Sequence, residues 1–535
     1  MTIQTHLSVL DQAARSYPSR PVFRVPKLAS DSEEVEGWST ITYARFHADV
    51  EKYAKYWTRV LAEDGLAPRS IVALWLGGMT YIDVLHIYGI ARAGYVPQLF
   101  SLRLPNPDVV AELLRKADAK ALIYDLSYVS AAATFTVPVH PAAYTARSDA
   151  EDVVLYNHLA PEGSDIAMVF HTSGSTSGSP KLVRCTYEWL DAIVSKAYYT
   201  GIPRDTARQD VTVWMGSMCH IAQTFMLIGS LQHGSCTIQP TKIAFSSDEL
   251  ADMIARCGLN RLNQFSTFLG MHLKRARQDA KLLGLLQGLD EIVYSGLMLA
   301  SEHEAFALEK GLNIRNLFGN TECGAMLLSV GGQGPEARHL RAIEGTSYGF
   351  WPIDAAAAEG EHANANAQLL ELVILSDSGD CPDPALRAAD GHYHTGDLFQ
   401  AVGAGAYVSR GRNDDWIKSE NSLRCDTKAI EDNVRATCGE LVSECIVVGN
   451  GRPSPALFVE SRAGMRDDVL KRAILRRIRA FHARRYLHEQ VTSPALVFVV
   501  KEGTLPRTAT KGNIRRRAVE EQFAAELDAA YGVRD

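Results

Sequence analysis

The segment His171–Lys181, HTSGSTSGSPK, gathers two glycines, six hydroxyl side chains and one lysine. Glycines let a backbone turn tightly and present successive N–H groups to an anion. The hydroxyls add donors, and Lys181 adds a positive charge. Together they suit a chain of phosphates. The segment is not a Walker A loop, which needs its lysine directly after the second glycine; here Gly178 is followed by Ser-Pro-Lys. Read from these residues alone, a flexible Ser/Gly connection is the alternative.

Such a loop needs a scaffold. The chain has 535 residues, more than one core usually serves, so at least two domains are expected. Its 46% apolar and 22% charged residues are an ordinary globular balance. A formal charge of -7 gives no reason to expect a nucleic-acid partner. Apolar runs such as Ala495–Val500 are far too short to span a membrane, and the N-terminus lacks a secretory pattern. Nine cysteines, none in a CxxC pair, point to a reducing, cytoplasmic setting without structural zinc.

Short apolar segments alternate with helical periodicity. YARFHADVEKYAKYWTRVLAEDG (Tyr43–Gly65) predicts a helix and SIVALWLG (Ser70–Gly77) a strand; a second helix ends at Gly94. Pro107–Asp125 repeats the helix-then-strand pair. Ile166–Phe170, Glu291–Gly296 and Gln368–Leu375 are further strand candidates. The pattern predicts an α/β fold: a large multi-sheet N-terminal domain and a smaller, mobile α/β C-terminal domain. Asp354–Ala367 is rich in alanine and reads as a surface insertion. The sequence restarts near residues 411–415, giving a large domain over 1–413 and a small one over 414–535. In the latter, Asp467–Leu487 is a strongly basic amphipathic helix whose charges suit a solvated face.

His171–Lys181 resembles the core signature of the adenylate-forming superfamily: acyl- and aryl-CoA ligases, luciferases and peptide-synthetase adenylation domains. Four further segments resemble its later signatures, in family order: FGNTECG (Phe318–Gly324), YHTGDLF (Tyr393–Phe399), GRNDDWIK (Gly411–Lys418) and LPRTATKGNIRR (Leu505–Arg516). GRPSPALFVE (Gly451–Glu460) resembles fungal synthetase-like proteins. The resemblance implies ATP and Mg2+ as cofactors. It implies that Thr172, Ser173, Gly174, Ser175, Thr176, Gly178 and Lys181 cradle the β- and γ-phosphates. Phe318 and Gly319 would pack against adenine, Thr321 would meet the α-phosphate, and Glu322 would hold the metal. Asp397 would accept the ribose hydroxyls, and Arg412 would reach the nucleotide. Asp414 falls at the hinge position. Lys511 is the expected adenylation lysine, although the usual Gly-Lys order is exchanged to Lys511-Gly512, with Arg507 or Arg515 as substitutes.

By the same resemblance the acid pocket comprises His220, Ile221, Ala222, Phe225, Ser295, Leu317, Ala325 and Met326. Amino-acid-activating relatives carry an aspartate where Ile221 stands. An isoleucine leaves a buried ammonium unpaired, so an aryl or modest aliphatic carboxylic acid is expected and an α-amino acid is not. The acyl-adenylate would then pass to a thiol. The sequence reading favours the phosphopantetheine of a carrier domain, in cis in a longer parent chain or in trans, with free CoA as the alternative. Asn421 replaces a glycine usual near that thiol channel. The exchanged Lys511-Gly512 pair and Asn421 also motivate a third reading, a degenerate nucleotide-binding regulatory protein.

Overall fold

A computed structural model describes the chain apart from residues 1–2, 30–33, 102–103, 105, 144–151, 156–161, 173–180, 354–368, 414–415, 419–423, 463, 484, 486–488, 508–513 and 533–535. The predicted insertion at Asp354–Ala367 therefore lies outside the described residues. Tyr43–Glu63 forms a helix because Tyr43, Phe46, Val50, Tyr53, Ala54, Trp57 and Leu61 make one buried stripe. Thr42 caps it by accepting from the Arg45 N–H at 3.3 Å. Gly65, at φ 75°, lets the chain turn back.

The first sheet has six strands: β1 Ile71–Leu76, β2 Val96–Ser101, β3 Ala121–Tyr124, β4 Val139–Pro141, β5 Ile166–Thr172 and β6 Lys181–Thr186, ordered β4-β3-β1-β2-β5-β6. All pairs are parallel except β5 with β6. Continuous burial along β1 and β3 explains their uninterrupted apolar runs, since both sheet faces are covered. The chain leaves β6 directly into helix α1 (Tyr187–Gly201), and α2 (Ile221–Gln232) packs beside it.

The second sheet has thirteen strands. Its parallel centre includes β7 Arg261–Phe265, β8 Glu291–Ser295 and β9 Ile314–Asn320. At β10 (Gly324–Ser329) it turns antiparallel, and it later takes in β11 Leu369–Ile374, β12 Tyr393–Gly403 and β13 Ala406–Arg412. The residues between β9 and β10 thus sit where a parallel sheet becomes antiparallel.

Past residue 416 a separate apolar core forms around β14 Val442–Val448, β15 Ala456–Ser461 and β16 Val497–Val500, flanked by α3 (Thr427–Cys438) and α4 (Asp467–His482). Leu470, Ile474, Ile478 and His482 recur every four residues on the buried side of α4, leaving most of its arginines at the surface. All nine cysteines are free and buried. No helix among the described residues is long and apolar enough to cross a membrane.

Burial pushes His86, His171, His272 and His482 down from 6.5 to about 4. Between those values the unfolded chain binds protons that the folded chain refuses, so stability rises with pH across that window. We expect the melting temperature at fixed ionic strength to fall as pH drops from about 7 to about 4.5. A flat profile would mean that these rings are protonated in the folded protein.

Candidate active site

Strands β5 and β6 pair antiparallel with Thr172 opposite Lys181. The phosphate-loop candidate is therefore the connection of a hairpin rather than of a strand and helix. Its first and last residues are brought together at the sheet edge, with Lys181 exposed. Ser173, Gly174, Ser175, Thr176 and Gly178 lie outside the described residues. His171, at the start of the segment, is half-buried. Its Nδ1–H donates to the Leu99 carbonyl at 3.0 Å, and its Nε2 accepts from the Gln98 amide at 3.1 Å. Phe100 stacks on the ring at 4.2 Å. Burial holds the ring neutral, with a pKa of about 4, so it anchors the loop without adding charge. Its anchoring partners Gln98 and Leu99 were not read from the sequence.

Thr321, Glu322 and Cys323 form the turn between β9 and β10. Asn320 Oδ1 accepts from the Cys323 N–H at 2.8 Å, which closes the turn on itself. Gly319 faces the returning strand so closely that an added Cβ would lie 2.4 Å from the Gly324 carbonyl oxygen and 2.9 Å from Ala325 Cα. This close approach explains a glycine in FGNTECG. Thr321 and Glu322 are half-buried, Cys323 fully buried.

Across the sheet, Asp397 on β12 stands in register with Arg412 on β13. Arg412 Nη1 lies 3.2 Å from Asp397 Oδ1, and the two side chains are 44% and 10% exposed. Thr395 Oγ1 accepts from the Asp397 N–H at 3.0 Å and donates to the Leu372 carbonyl at 2.8 Å, fixing the bend before the aspartate. Gly396, at φ 70°, would bring a Cβ to 3.3 Å from Arg412 Nη2. The ring of Phe318 meets Phe399 edge-on at 5.2 Å, which carries it to the Asp397 strand. Burial first, then the charges of Glu322, Cys323 and Asp397, push the Tyr393 phenol far above its usual range, leaving a neutral hydroxyl. The first residue of YHTGDLF thus belongs with the site; its place in that motif was the available signal.

The apolar side begins where the parallel strands end. Phe265, Ser295 and Leu317 stand in register across β7, β8 and β9, at the carboxyl edge where α/β folds place ligands. Ile221, Phe225, Leu317 and Ala325 belong to one buried cluster, with Ala222 and Phe265 packed against it. His220 caps α2 and is half-buried. Met326 falls at an irregularity in the β9–β10 pairing and belongs, with Leu327, to a different cluster that includes Phe399, Leu372 and Cys323, while Ala325 belongs to the first. Phe265 was not read from the sequence. Its ring lies between Gly216 and Gly296, where added Cβ atoms would approach to 2.9 and 3.1 Å.

Among the described residues no three His, Cys, Asp or Glu side chains converge as a ligand set. The half-buried Glu322 fits magnesium if phosphate oxygens and water supply the remaining ligands, the usual arrangement for that ion. In the small domain Arg507 bridges Ile514 and donates to the buried Glu460 at 2.6 Å. That closes the base of residues 508–513, with Lys511 among them and outside the described residues, as is Asp414.

Gly319→Ala should lower the melting temperature by a few degrees, an overpacking cost of about 1–3 kcal/mol. Gly284, in the helix Ala280–Gln287 with nothing near its Cβ position, should respond oppositely, Gly284→Ala stabilising by about 0.5–1 kcal/mol. Thermal melts of both variants check the pair, and an unperturbed Gly319→Ala would disprove the close packing of the turn.

Comparison with known proteins places this geometry. Residues 10–349 match the AMP-binding enzyme family and residues 414–535 match the AMP-binding enzyme C-terminal domain. The chain is 36% identical over 518 residues to the AMP-binding domain-containing enzyme iboA of Amanita muscaria, covering 94% of this chain and 98% of that one. Its fold is similar to the o-succinylbenzoate CoA synthetase of Bacillus subtilis in complex with its acyl-adenylate intermediate (TM-score 0.72, 17% identity, 97% and 99% of the two chains covered). It is similar, too, to the anthranilate CoA ligase AuaEII in complex with anthranoyl-AMP (TM-score 0.73, 16% identity, 99% of each chain). The chain therefore belongs to the AMP-binding enzymes, the adenylate-forming ligases that use ATP to convert a carboxylic acid into an acyl-adenylate.

Proposed function

We propose that the protein is an acid:CoA ligase for an aryl or modest aliphatic carboxylic acid. The observation that carries this reading is the double use of one hairpin. Within nine residues, Leu317 and Ala325 face an apolar cluster while Phe318 meets the Asp397 strand and Glu322 sits in the turn between them. An uncharged acid body against the first face would bring its carboxylate beside a nucleotide held on the second.

Each anion would repel the other, so positioning and neutralisation are the chemistry the protein must supply. A carboxylate oxygen attacks the α-phosphorus, the bond to the bridging oxygen breaks, and pyrophosphate leaves. In this reading Thr172, Lys181 and the loop between them receive the outer phosphates. Thr321 meets the α-phosphate, Asp397 the ribose, and Lys511 the reacting oxygens. Magnesium, held by Glu322 and the phosphates, would offset the charge that builds there. Rotation of the small domain about Asp414 would then admit the thiol, whose sulfur attacks the acyl carbon as AMP departs.

The sequence reading favoured a carrier thiol. Free CoA is the better-supported acceptor, because the similar structures solved with an acyl-adenylate are named as CoA ligases. Ile221 supports an uncharged acid: it is 6% exposed within the apolar cluster, where a substrate ammonium would find no counter-charge from that position.

Incubation with ATP, magnesium and a panel of aryl, aliphatic and α-amino acids, with hydroxylamine as trap, tests the first half-reaction. Acid-dependent pyrophosphate release is expected with aryl or aliphatic acids. Release with α-amino acids alone would overturn the substrate class. CoA should then yield a thioester, whereas a phosphopantetheinylated carrier accepting in its place would restore the carrier reading. Lys511→Ala should depress adenylation by roughly a hundredfold or more while sparing ATP affinity. Ile221→Asp should impair use of uncharged acids, measured as kcat/KM.

A further inference from the structure

Helix α1 carries a stripe that the proposed chemistry does not use. Trp189, Ile193 and Lys196 fall at successive turns of one face and meet Glu322, Gly324 and Cys323, the end of the β9–β10 turn and the first residue of β10. The Trp189 indole N–H donates to the Glu322 carbonyl at 2.9 Å. Ile193 packs over Gly324 so closely that a Cβ there would lie 2.6 Å from Ile193 Cδ1. Lys196 Nζ donates to the Cys323 carbonyl at 2.6 Å. Lysine is an unexpected choice for that place, because its side chain is 3% exposed. Burying an ammonium is strongly unfavourable unless it is paired. Asp380 supplies the partner at 2.6 Å, itself 1% exposed. Its other oxygen accepts from Ser378 Oγ at 2.5 Å, and the Tyr348 hydroxyl donates to the oxygen that Lys196 holds.

A buried ion pair seldom stabilises a fold more than apolar residues of the same volume would. What it supplies here is geometry. A charge-assisted bond to a carbonyl is short and resists displacement, and the carbonyl belongs to the residue after Glu322. Moreover, α1 leaves β6 with no intervening loop, so the same helix continues the far strand of the phosphate hairpin. We propose that Lys196, held by Asp380, is a positioning residue: it fixes the Glu322 turn to the helix that continues from the phosphate loop, so that carboxylate and loop address the same magnesium-nucleotide. The proposal rests on Glu322 acting at the phosphates, as read above.

Lys196 and Asp380 also line a cavity of about 510 Å³ between α1, the first helix His6–Ser16 and residues 344–346. The cavity gives a small amine a route to the position of a deleted lysine ammonium.

The test compares Lys196→Met, Lys196→Ala and Asp380→Asn with Leu273→Ala, a core truncation in the cluster of β7 and β8, at matched fractions folded. Two readouts are taken: the turnover of acid-dependent pyrophosphate release, and the gain in ATP affinity on adding magnesium, measured by calorimetry. We expect both Lys196 variants and Asp380→Asn to lose turnover by about tenfold or more and to lose most of the magnesium-dependent gain, with KM for the acid within about twofold. Propylamine should restore part of the turnover of Lys196→Ala. Leu273→Ala should keep both quantities. If a Lys196 variant fails to fold, Asp380→Asn carries the comparison. Variants that match Leu273→Ala in both readouts, with no gain from propylamine, would overturn the proposal and leave the pair a structural one. Absence of pyrophosphate release from the parent with every acid would instead count against the ligase reading, and the binding measurement would still decide the role of Lys196.

Discussion

A carboxylate proposed to act beside a polyanion that repels it must be held still, and the backbone of the Glu322 turn is tied down on several sides. The Asn320 side chain closes the turn from within, the Trp189 indole and the Lys196 ammonium seize two successive carbonyls from outside, and Gly319 lets the strands meet. The Lys196 bond is buried and the other two are partly so, and in a buried place losing one partner costs more than forming the pair gains. The turn sits where the parallel half of the large sheet becomes antiparallel, so the strands on its two sides approach from different architectures. In the proposed reading the nucleoside would draw on the antiparallel half, with Asp397 and Arg412 opposed across β12 and β13, and the acid on the carboxyl ends of the parallel half.

Charge is distributed along the parallel strands with a similar logic. Glu291, at the start of β8, accepts from Arg204 at 2.6 Å and from Arg315 at 3.3 Å, and pairs by charge with Arg261 at 2.8 Å. Burial alone would raise its pKa, but the three guanidinium groups together hold the carboxyl below its usual range. This cluster pins β7, β8 and β9 at their amino ends. Their carboxyl ends carry Phe265, Ser295 and Leu317, which are free of charge. One end of the strands is locked electrostatically, and the other offers an apolar wall of fixed register.

The small domain has its own core, which among the described residues shares no apolar cluster with the rest. Its buried Glu460 fixes both the Leu505 N–H and Arg507, which frames the segment that contains Lys511. In the proposed reading, a lysine carried by a unit with its own core could approach and leave the site without unpacking the large domain.

Much was legible in the sequence for a physical reason: local chemistry was written in contiguous residues. Strand and helix periods gave the α/β alternation, since burial on both faces forces apolar runs and burial on one forces a stripe. The signatures around His171, Thr321, Asp397 and Arg412 each lie within a few residues, so their types alone identified the family. What tertiary structure decided was direction and pairing. An irregularity in the β9–β10 pairing sets Met326 and Ala325 in different clusters. Register set Phe265 beside Ser295 and Leu317, though nothing in its own segment marks it. Lys196 stood in the sequence as a lysine in the apolar stripe of α1, an anomaly with no visible partner. Asp380 lies 184 residues further along, and only folding brings the two charges together, with the Cys323 carbonyl, Ser378 and Tyr348 completing their bonds.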